Sequence, residues 1–328
     1  MDKPFGQHPL AGRFTDLRPE HVFGVVESHT NRCTGRFLVL NSYENRVFRL
    51  ELEDGTFVVA KFYRPGRWAE ETIQAEHDFL NDLVEAEIPV VAPLKLNDGG
   101  TIDVVDGISF AIFPSFGGRA PEELEKEKLE ILGRYLARIH NVGGSRSESR
   151  RVKLTPESYG QANLDFLLEH NFIPDSLAEN YKITVESLLS HMQPHFLDIE
   201  TLRVHGDCHL GNLLWNPSGP TFLDFDDMVV GPAVQDIWML VPSYDQYGQQ
   251  DREVLLDAYQ TFRDFDRREL RLIEPLRALR FLHYSAWIAR RWDDPIFKET
   301  FTYFGTEQYW QKEIQDLREQ LARMMHEL

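Results

Sequence analysis

Two stretches of the chain carry residue types that do chemistry together: His205-Gly206-Asp207-Cys208-His209-Leu210-Gly211-Asn212 and, soon after it, Phe222-Leu223-Asp224-Phe225-Asp226. An amide oxygen and a carboxylate are hard donors of the kind Mg²⁺ takes, and a second carboxylate accepts a proton from a hydroxyl. Between the stretches, Asn216-Pro217-Ser218-Gly219-Pro220 separates the apolar runs 213–215 and 221–223. Its Pro and Gly punctuation predicts a turn between two antiparallel strands. Such a hairpin folds Asn212 back beside Asp224 and leaves Asp207 one loop-length away. Metal ligands and a base are two of the parts that phosphoryl transfer requires.

The elements that must position these groups begin with a predicted β-meander, with strands at 37–40, 47–52 and 57–63 and Glu53-Asp54-Gly55 as the second turn. The first turn, Asn41-Ser42-Tyr43-Glu44-Asn45, is short and polar. Its amides and the Ser42 hydroxyl suit either an ordinary hairpin or a phosphate cradle, and no G-x-G-x-x-G is present. Lys61 is sharper evidence, because it interrupts Phe57-Val58-Val59-Ala60-Lys61-Phe62-Tyr63, a strand apolar on both faces. An unpaired ammonium there costs several kcal/mol, so a carboxylate or a phosphate must answer it. Glu76 lies on the helical stripe of Ile73, Leu80, Leu83 and Val84, which aims its carboxylate inward as the candidate partner. A snorkelling lysine and a helix-edge glutamate are the plainer alternative.

A further strand is expected at 110–113, after which Pro114-Ser115-Phe116-Gly117-Gly118-Arg119 breaks the pattern and a helix begins near Pro121. Leu132, Tyr135, Leu136 and Ile139 follow helical spacing and predict core of a second lobe. Two to four helices are expected over 164–196, and another over 234–240 that places Asp236 near its start. That carboxylate either bonds backbone amides of the 205–212 loop or simply complements the helix dipole. The stretch 272–292 reads as helix, with Arg277, Arg280, Arg290 and Arg291 either pairing with surplus carboxylates or meeting an acidic substrate.

With 328 residues the chain is long enough for two lobes, and 42% hydrophobic with 27% charged residues is ordinary for a soluble globular protein. No apolar run approaches the roughly 20 residues of a membrane span, and the first fifteen residues lack the pattern of a secretory signal. Two separated cysteines, Cys33 and Cys208, suit a reducing compartment, so the expectation is a cytoplasmic protein. A net charge of −18 argues against general nucleic-acid binding, while leaving a local nucleotide site open.

In combination, the HxDxxxxN loop of His205, Asp207 and Asn212, the carboxylate of Asp224, Lys61 with Glu76, and Gly231-Pro232 before Asp236 resemble the aminoglycoside and choline phosphotransferase superfamily, relatives of the protein kinases. Within it, Leu40-Asn41-Ser42-Tyr43-Glu44-Asn45-Arg46-Val47, Lys61-Phe62-Tyr63-Arg64-Pro65 and Gly231-Pro232-Ala233-Val234-Gln235-Asp236 are similar to bacterial serine/threonine kinases of the stress response. The resemblance implies an α+β, bilobal, protein-kinase-like fold. Its parts would be a small β-rich N-lobe over 1–114, a hinge over 115–118 and a larger helical C-lobe over 119–328. It implies ATP as phosphoryl donor, Mg²⁺ as cofactor and a protein Ser/Thr hydroxyl as acceptor; with the charge and hydropathy above, the expectation is a monomer or weak dimer that binds neither nucleic acid nor membrane. Asp207 would then be the catalytic base, and Asn212 and Asp224 the metal ligands. Lys61, paired to Glu76, would hold the ATP phosphates, Ser42 would lie in the nucleotide loop, and the backbone near Ser115 and Phe116 would meet adenine.

Departures from the pattern are specific. Gly206 stands where conventional protein kinases have arginine, Asp226 where a glycine follows the metal carboxylate, the 41–45 loop lacks glycines, and no A-P-E segment occurs. Phosphorylation-controlled activation is therefore not expected. Cys208 is read either as a small buried residue or as a thiol whose oxidation slows catalysis. Two other functions stay open: a kinase of small molecules such as an amino alcohol, homoserine or an aminoglycoside, and a non-catalytic nucleotide-binding regulatory module. A metal-dependent hydrolase built on Asp224, Asp226 and Asp227 leaves Lys61 and Glu76 without a role.

Overall fold

In the computed structural model of the protein, residues 8–15, 17–40 and 42–326 are described. Residues 1–7 of the amino-terminal segment, Asp16, Asn41 of the polar turn, Glu327 and Leu328 lie outside them. In chain order come helices α1 (Ala11–Thr15) and α2 (Pro19–Glu27), strands β1 (Cys33–Leu40), β2 (Arg46–Leu52) and β3 (Phe57–Phe62), helix α3 (Glu70–Glu85), and strands β4 (Asp103–Val105) and β5 (Ile108–Pro114). Helices α4 (Lys126–Gly144), α5 (Ala162–Glu169) and α6 (Asp175–Met192) follow, then strands β6 (Leu202–Val204), β7 (Leu213–Asn216), β8 (Gly219–Phe222) and β9 (Val229–Gly231). The chain continues through helices α7 (Val234–Leu240), α8 (Gln246–Tyr259), α9 (Ile273–Arg290), α10 (Pro295–Thr300) and α11 (Glu307–His326). Strands gathered early and helices late make the fold α+β.

Two compact units result: one runs to Glu122 and takes in Leu210–Asp226, the other holds Glu123–His209 and Asp227 onward. The segment 115–118 thus lies inside the first unit.

An antiparallel sheet in the order β1-β2-β3-β5-β4 organises the first unit. Because side chains alternate between faces, Phe48, Leu50 and Leu52 of β2, Ala60 and Phe62 of β3, and Phe110 and Ile112 of β5 share one face. They bury it against Phe14, Val22 and Val26 of α1 and α2. The opposite face therefore receives Lys61, which sits between Val47 of β2 and Ala111 of β5 in the ladder. The turn between β2 and β3 has Gly55 at φ 81°, a left-handed conformation that glycine adopts without penalty. On α3, Ile73, Glu76, Leu80 and Leu83 are buried, whereas Val84, expected on the same stripe, is exposed because it is rotated about 100° past Leu83.

The β7–β8 hairpin is tighter than its five-residue punctuation predicts. Asn216 already pairs with Gly219, leaving Pro217 and Ser218 as the loop. Backbone bonds fasten it to the first unit: Phe222 N–H donates to the Pro89 carbonyl at 2.8 Å, and Arg119 and Trp215 exchange bonds of 3.1 and 2.8 Å. That exchange holds the chain extended at Arg119. The helix expected near Pro121 accordingly starts only at Lys126, as α4.

In the second unit, α5, α6, α9, α10 and α11 enclose one core, where the Tyr181 and Trp310 rings meet edge-on at 5.3 Å. The helices expected over 164–196 are α5 and α6, followed by a single tight turn at Gln193–Phe196. Glu313 of α11 is buried in this unit and accepts a 2.8 Å hydrogen bond from Ser285 of α9. Burial pushes its carboxyl up to about 7. A carboxyl raised in the folded state keeps its proton where the unfolded chain has lost it, so its contribution is full below the ordinary value near 4.5 and fades as pH rises to about 7. Wild-type protein should therefore lose stability from pH 5 to pH 7.5 relative to Glu313→Gln, read as diverging denaturation midpoints. Parallel pH profiles for the two proteins would contradict this.

Candidate active site

On the sheet face that carries Lys61, the first unit holds a cavity of about 360 Å³. Ser42, Lys61, Glu76, Ser115, Phe116, Asn212 and Asp224 line it, with Val47, Val59, Leu80, Phe113 and Leu223 supplying apolar wall. Few polar groups converging in a largely apolar hollow is the usual form of a small-ligand site.

The geometry centres on Lys61. Its Nζ lies 3.0 Å from Asp224 Oδ1, 3.4 Å from Asp226 Oδ1 and 3.7 Å from Glu76 Oε1. Burial works against the ammonium, but Asp224, Asp226 and Glu76 outweigh it and hold the group protonated well above the ordinary lysine range. Behind it, His77 bonds the Tyr63 hydroxyl at 2.8 Å and Thr101 at 2.7 Å. Burial, helped by the Lys61 charge, pushes that imidazole down to about 3, so it is neutral and adds no competing cation.

Asp224 arrives by way of the hairpin. Leu223 N–H donates to the Asn212 carbonyl at 2.9 Å, which brings the two metal-ligand candidates alongside. Asp224 adopts φ 55°, a left-handed conformation uncommon outside glycine, and its side chain is 55% exposed. Hard oxygen donors open to the cavity fit a divalent cation. Among the described residues, no group of three or more His, Cys, Asp or Glu forms a metal cluster. Mg²⁺ held here would complete its shell with water and phosphate oxygens, as it commonly does.

Asp226 is the residue sequence reasoning missed as a participant. It accepts from Asn45 Nδ2 at 3.1 Å, pairs with Arg67, and faces Lys61. Asn45 Oδ1 in turn accepts from Arg64 N–H at 3.1 Å, and Arg64 donates to the Glu44 and Tyr43 carbonyls at 2.9 Å each. The polar turn therefore needs no glycines, since buried Arg64 holds its carbonyls and Asp226 holds the Asn45 side chain from behind. Ser42 Oγ accepts from Asn45 N–H at 3.2 Å, so its hydroxyl shapes the turn as well as lining the cavity. Ser115 N–H donates to the Phe57 carbonyl at 3.2 Å, and its hydroxyl accepts from Arg49.

Within the second unit, Asp236 resolves the choice left by the sequence. Its carboxylate accepts from His205 N–H at 2.8 Å and Gly206 N–H at 2.9 Å, and His140 Nε2 stands at 3.1 Å, itself backed by Tyr259 at 2.9 Å. Gly206 has φ 84°, and a Cβ there would lie 2.2 Å from the Asp227 carbonyl oxygen. Arginine cannot occupy this position, which accounts for the departure at residue 206. The loop so fixed presents Asp207, whose oxygens meet Arg280 Nη1 at 2.8 Å and His209 Nε2 at 3.3 Å. Burial alone would raise the Asp207 carboxyl, but the His209 hydrogen bond and the Arg280 charge hold it well below the usual carboxylate range. Cys208 is fully buried, and burial, with Asp236 and Asp207 nearby, pushes its thiol well up, in keeping with a small inert core residue.

A model of the phosphotransferase enzyme family matches residues 37–273. The chain belongs to that family. It is a phosphotransferase with a hydroxyl acceptor. Stress response kinase A of Salmonella choleraesuis is 39% identical over 96% of this chain and 95% of its own length. The serine/threonine protein kinase RdoA of Salmonella typhimurium is 39% identical over the same shares. A solved amicoumacin kinase, in complex with AMP-PNP, Ca²⁺ and Ami, superposes with a TM-score of 0.73 at 19% identity, covering 92% of this chain and 94% of the other. The phosphotransferase thus shares the protein-kinase-like fold of these kinases. Among its described residues no helix is long and apolar enough to cross a membrane.

The loop of this phosphotransferase depends on Asp236, so Asp236→Ala should destabilise it by roughly 3 kcal/mol, because buried donors are left unanswered. Denaturant unfolding measures this, and a midpoint equal to wild type would contradict the network.

Proposed function

We propose that this phosphotransferase is an ATP- and Mg²⁺-dependent serine/threonine protein kinase acting in bacterial stress response. The observation that carries the nucleotide part is the 3.0 Å approach of Lys61 to Asp224 inside a cavity also lined by Asn212. One cation to hold phosphate and oxygen donors to hold metal is the pairing that phosphoryl transfer from a nucleotide needs. The protein acceptor rests on the names of relatives 39% identical over nearly the whole chain.

In this reading Lys61 trades part of its hold on Asp224 for ATP phosphate oxygens, while Glu76 and Asp226 keep it aimed. Asn212 and Asp224 would hold Mg²⁺, which when bound would supply positive charge to neutralise that building on the phosphate oxygens. The 42–45 turn covers the phosphates. Phe116 and the Ser115 carbonyl meet the base, since the Ser115 N–H is already engaged by Phe57. Asp207 aligns the acceptor hydroxyl and takes its proton as the new O–P bond forms and the bond from the γ-phosphorus to the bridging oxygen breaks, releasing ADP. A carboxylate held well below its usual range stays ionised across physiological pH, which suits alignment of the hydroxyl more than strong proton abstraction.

The small-molecule kinase remains the second reading, favoured by the fold likeness to amicoumacin kinase. Labelled ATP with cell extract separates the two: label on Ser and Thr of protein is expected, and label confined to metabolites would overturn the protein acceptor. A non-catalytic module is tested by Asp207→Ala. That variant should bind nucleotide as wild type does and lose transfer by about 10²–10⁴-fold, whereas unchanged transfer would remove Asp207 from the reaction.

A further inference from the structure

Arginines on and just after α9 are mostly tied into the fold. Arg277 donates to the Pro242 carbonyl at 2.8 Å and pairs with Glu274 at 3.4 Å; Arg290 donates to Asn163 at 2.8 Å; Arg291 donates to the Trp287 carbonyl at 3.0 Å. Arg280 differs. Its side chain is 44% exposed, and among the described residues its only hydrogen bond or ion pair is the 2.8 Å contact with Asp207. A guanidinium has five N–H donors in a planar fork, so most of this one's donors face outward beside the proposed base. His209 stands on the other Asp207 oxygen at 3.3 Å. In a chain with 53 acidic and 35 basic residues, two basic side chains, Arg280 and His209, flank the Asp207 carboxylate.

An ionised carboxylate offers about four lone-pair positions, so a hydroxyl can approach Asp207 while Arg280 stays bound. The group next to that hydroxyl then meets the outward donors of the guanidinium. A carboxylate there gains charge-assisted, two-pronged hydrogen bonds, and an ammonium is repelled. One turn further along α9, Tyr284 is 41% exposed, with its hydroxyl 3.3 Å from that of Tyr303 and its ring stacked on Trp287. This exposed aromatic ledge gives an extended chain something to lie on beyond the hydroxyl.

We infer that Arg280 is a specificity-determining residue and that the acceptor is a serine or threonine flanked by Asp or Glu. The inference rests on the reading of Asp207 as the base for a protein hydroxyl.

The test uses the full chain, ATP and Mg²⁺ with matched peptides whose single serine is flanked by acidic, neutral or basic residues. Wild type should favour the acidic peptide over the basic one by about tenfold or more in kcat/KM, chiefly through KM. Arg280→Glu should reverse the order. Arg280→Lys should keep it with a smaller ratio, because a point charge lacks the fork. These ratios do not depend on the fraction of active protein, so partial misfolding cannot imitate them. Equal rates or a basic preference in wild type, or an unchanged preference in Arg280→Glu, would overturn the inference while leaving the kinase reading standing. Transfer to no serine or threonine peptide at all would instead bring down the protein-kinase reading, and this inference with it.

Discussion

A buried ammonium answered by three carboxylates organises the first unit of this enzyme. Lys61 comes from β3, Glu76 from α3, and Asp224 and Asp226 from the segment after the β7–β8 hairpin. Leaving out Lys61 would strand the buried carboxylates of Glu76 and Asp226 with less cation to answer them, which is far more costly than never having buried them. Three separate pieces of chain are thereby obliged to meet. The cluster is also deliberately uneven, because Asp226 is buried and shared with Arg67 whereas Asp224 is half open to the cavity. The open carboxylate is the one that the proposed site would use to exchange its lysine for a metal ion.

The second unit solves a related problem with a buried anion. Asp236 of α7 takes the amides of His205 and Gly206, so the loop that presents Asp207 is fixed by its backbone rather than by its side chains. That arrangement explains why residue 206 is glycine: the close approach of the Asp227 carbonyl and a left-handed φ leave no place for a Cβ. With the loop anchored from behind, the exposed side chains near Asp207, notably Arg280 and His209, are at liberty to shape what the proposed base would meet.

Much of this was legible in the residues. Lys61 in an apolar strand demanded a partner, and Glu76 on an apolar helical stripe offered one, because helix and strand periodicities fix which side chains face inward. The turn at 216–220 likewise implied that Asn212 and Asp224 come together. Other features left little local trace. Helices α1 and α2 are short, and their importance lies in covering the far sheet face through Phe14, Val22 and Val26, which is a tertiary fact. The three-residue strand β4 is too brief for alternation to register. Asp226 was visible as a departure from a family pattern and as part of the hydrolase alternative, but not as a partner of Lys61. Its role depends on Asn45, 181 positions away in sequence, and on Arg67, 159 away. The late start of α4 had the same origin, since a backbone exchange between Arg119 and Trp215 overrode the helix-starting signal at Pro121.

Calorimetric titration of ATP into wild-type and Lys61→Met protein, each with and without Mg²⁺, bears most directly on the central claim that this ammonium and Asp224 form one metal-nucleotide site. Wild type should bind ATP with a marked dependence on Mg²⁺, and Lys61→Met should bind at least about tenfold more weakly, as the loss of one charge-assisted phosphate contact implies. Equal affinity in the two proteins, or wild-type binding indifferent to Mg²⁺, would contradict it.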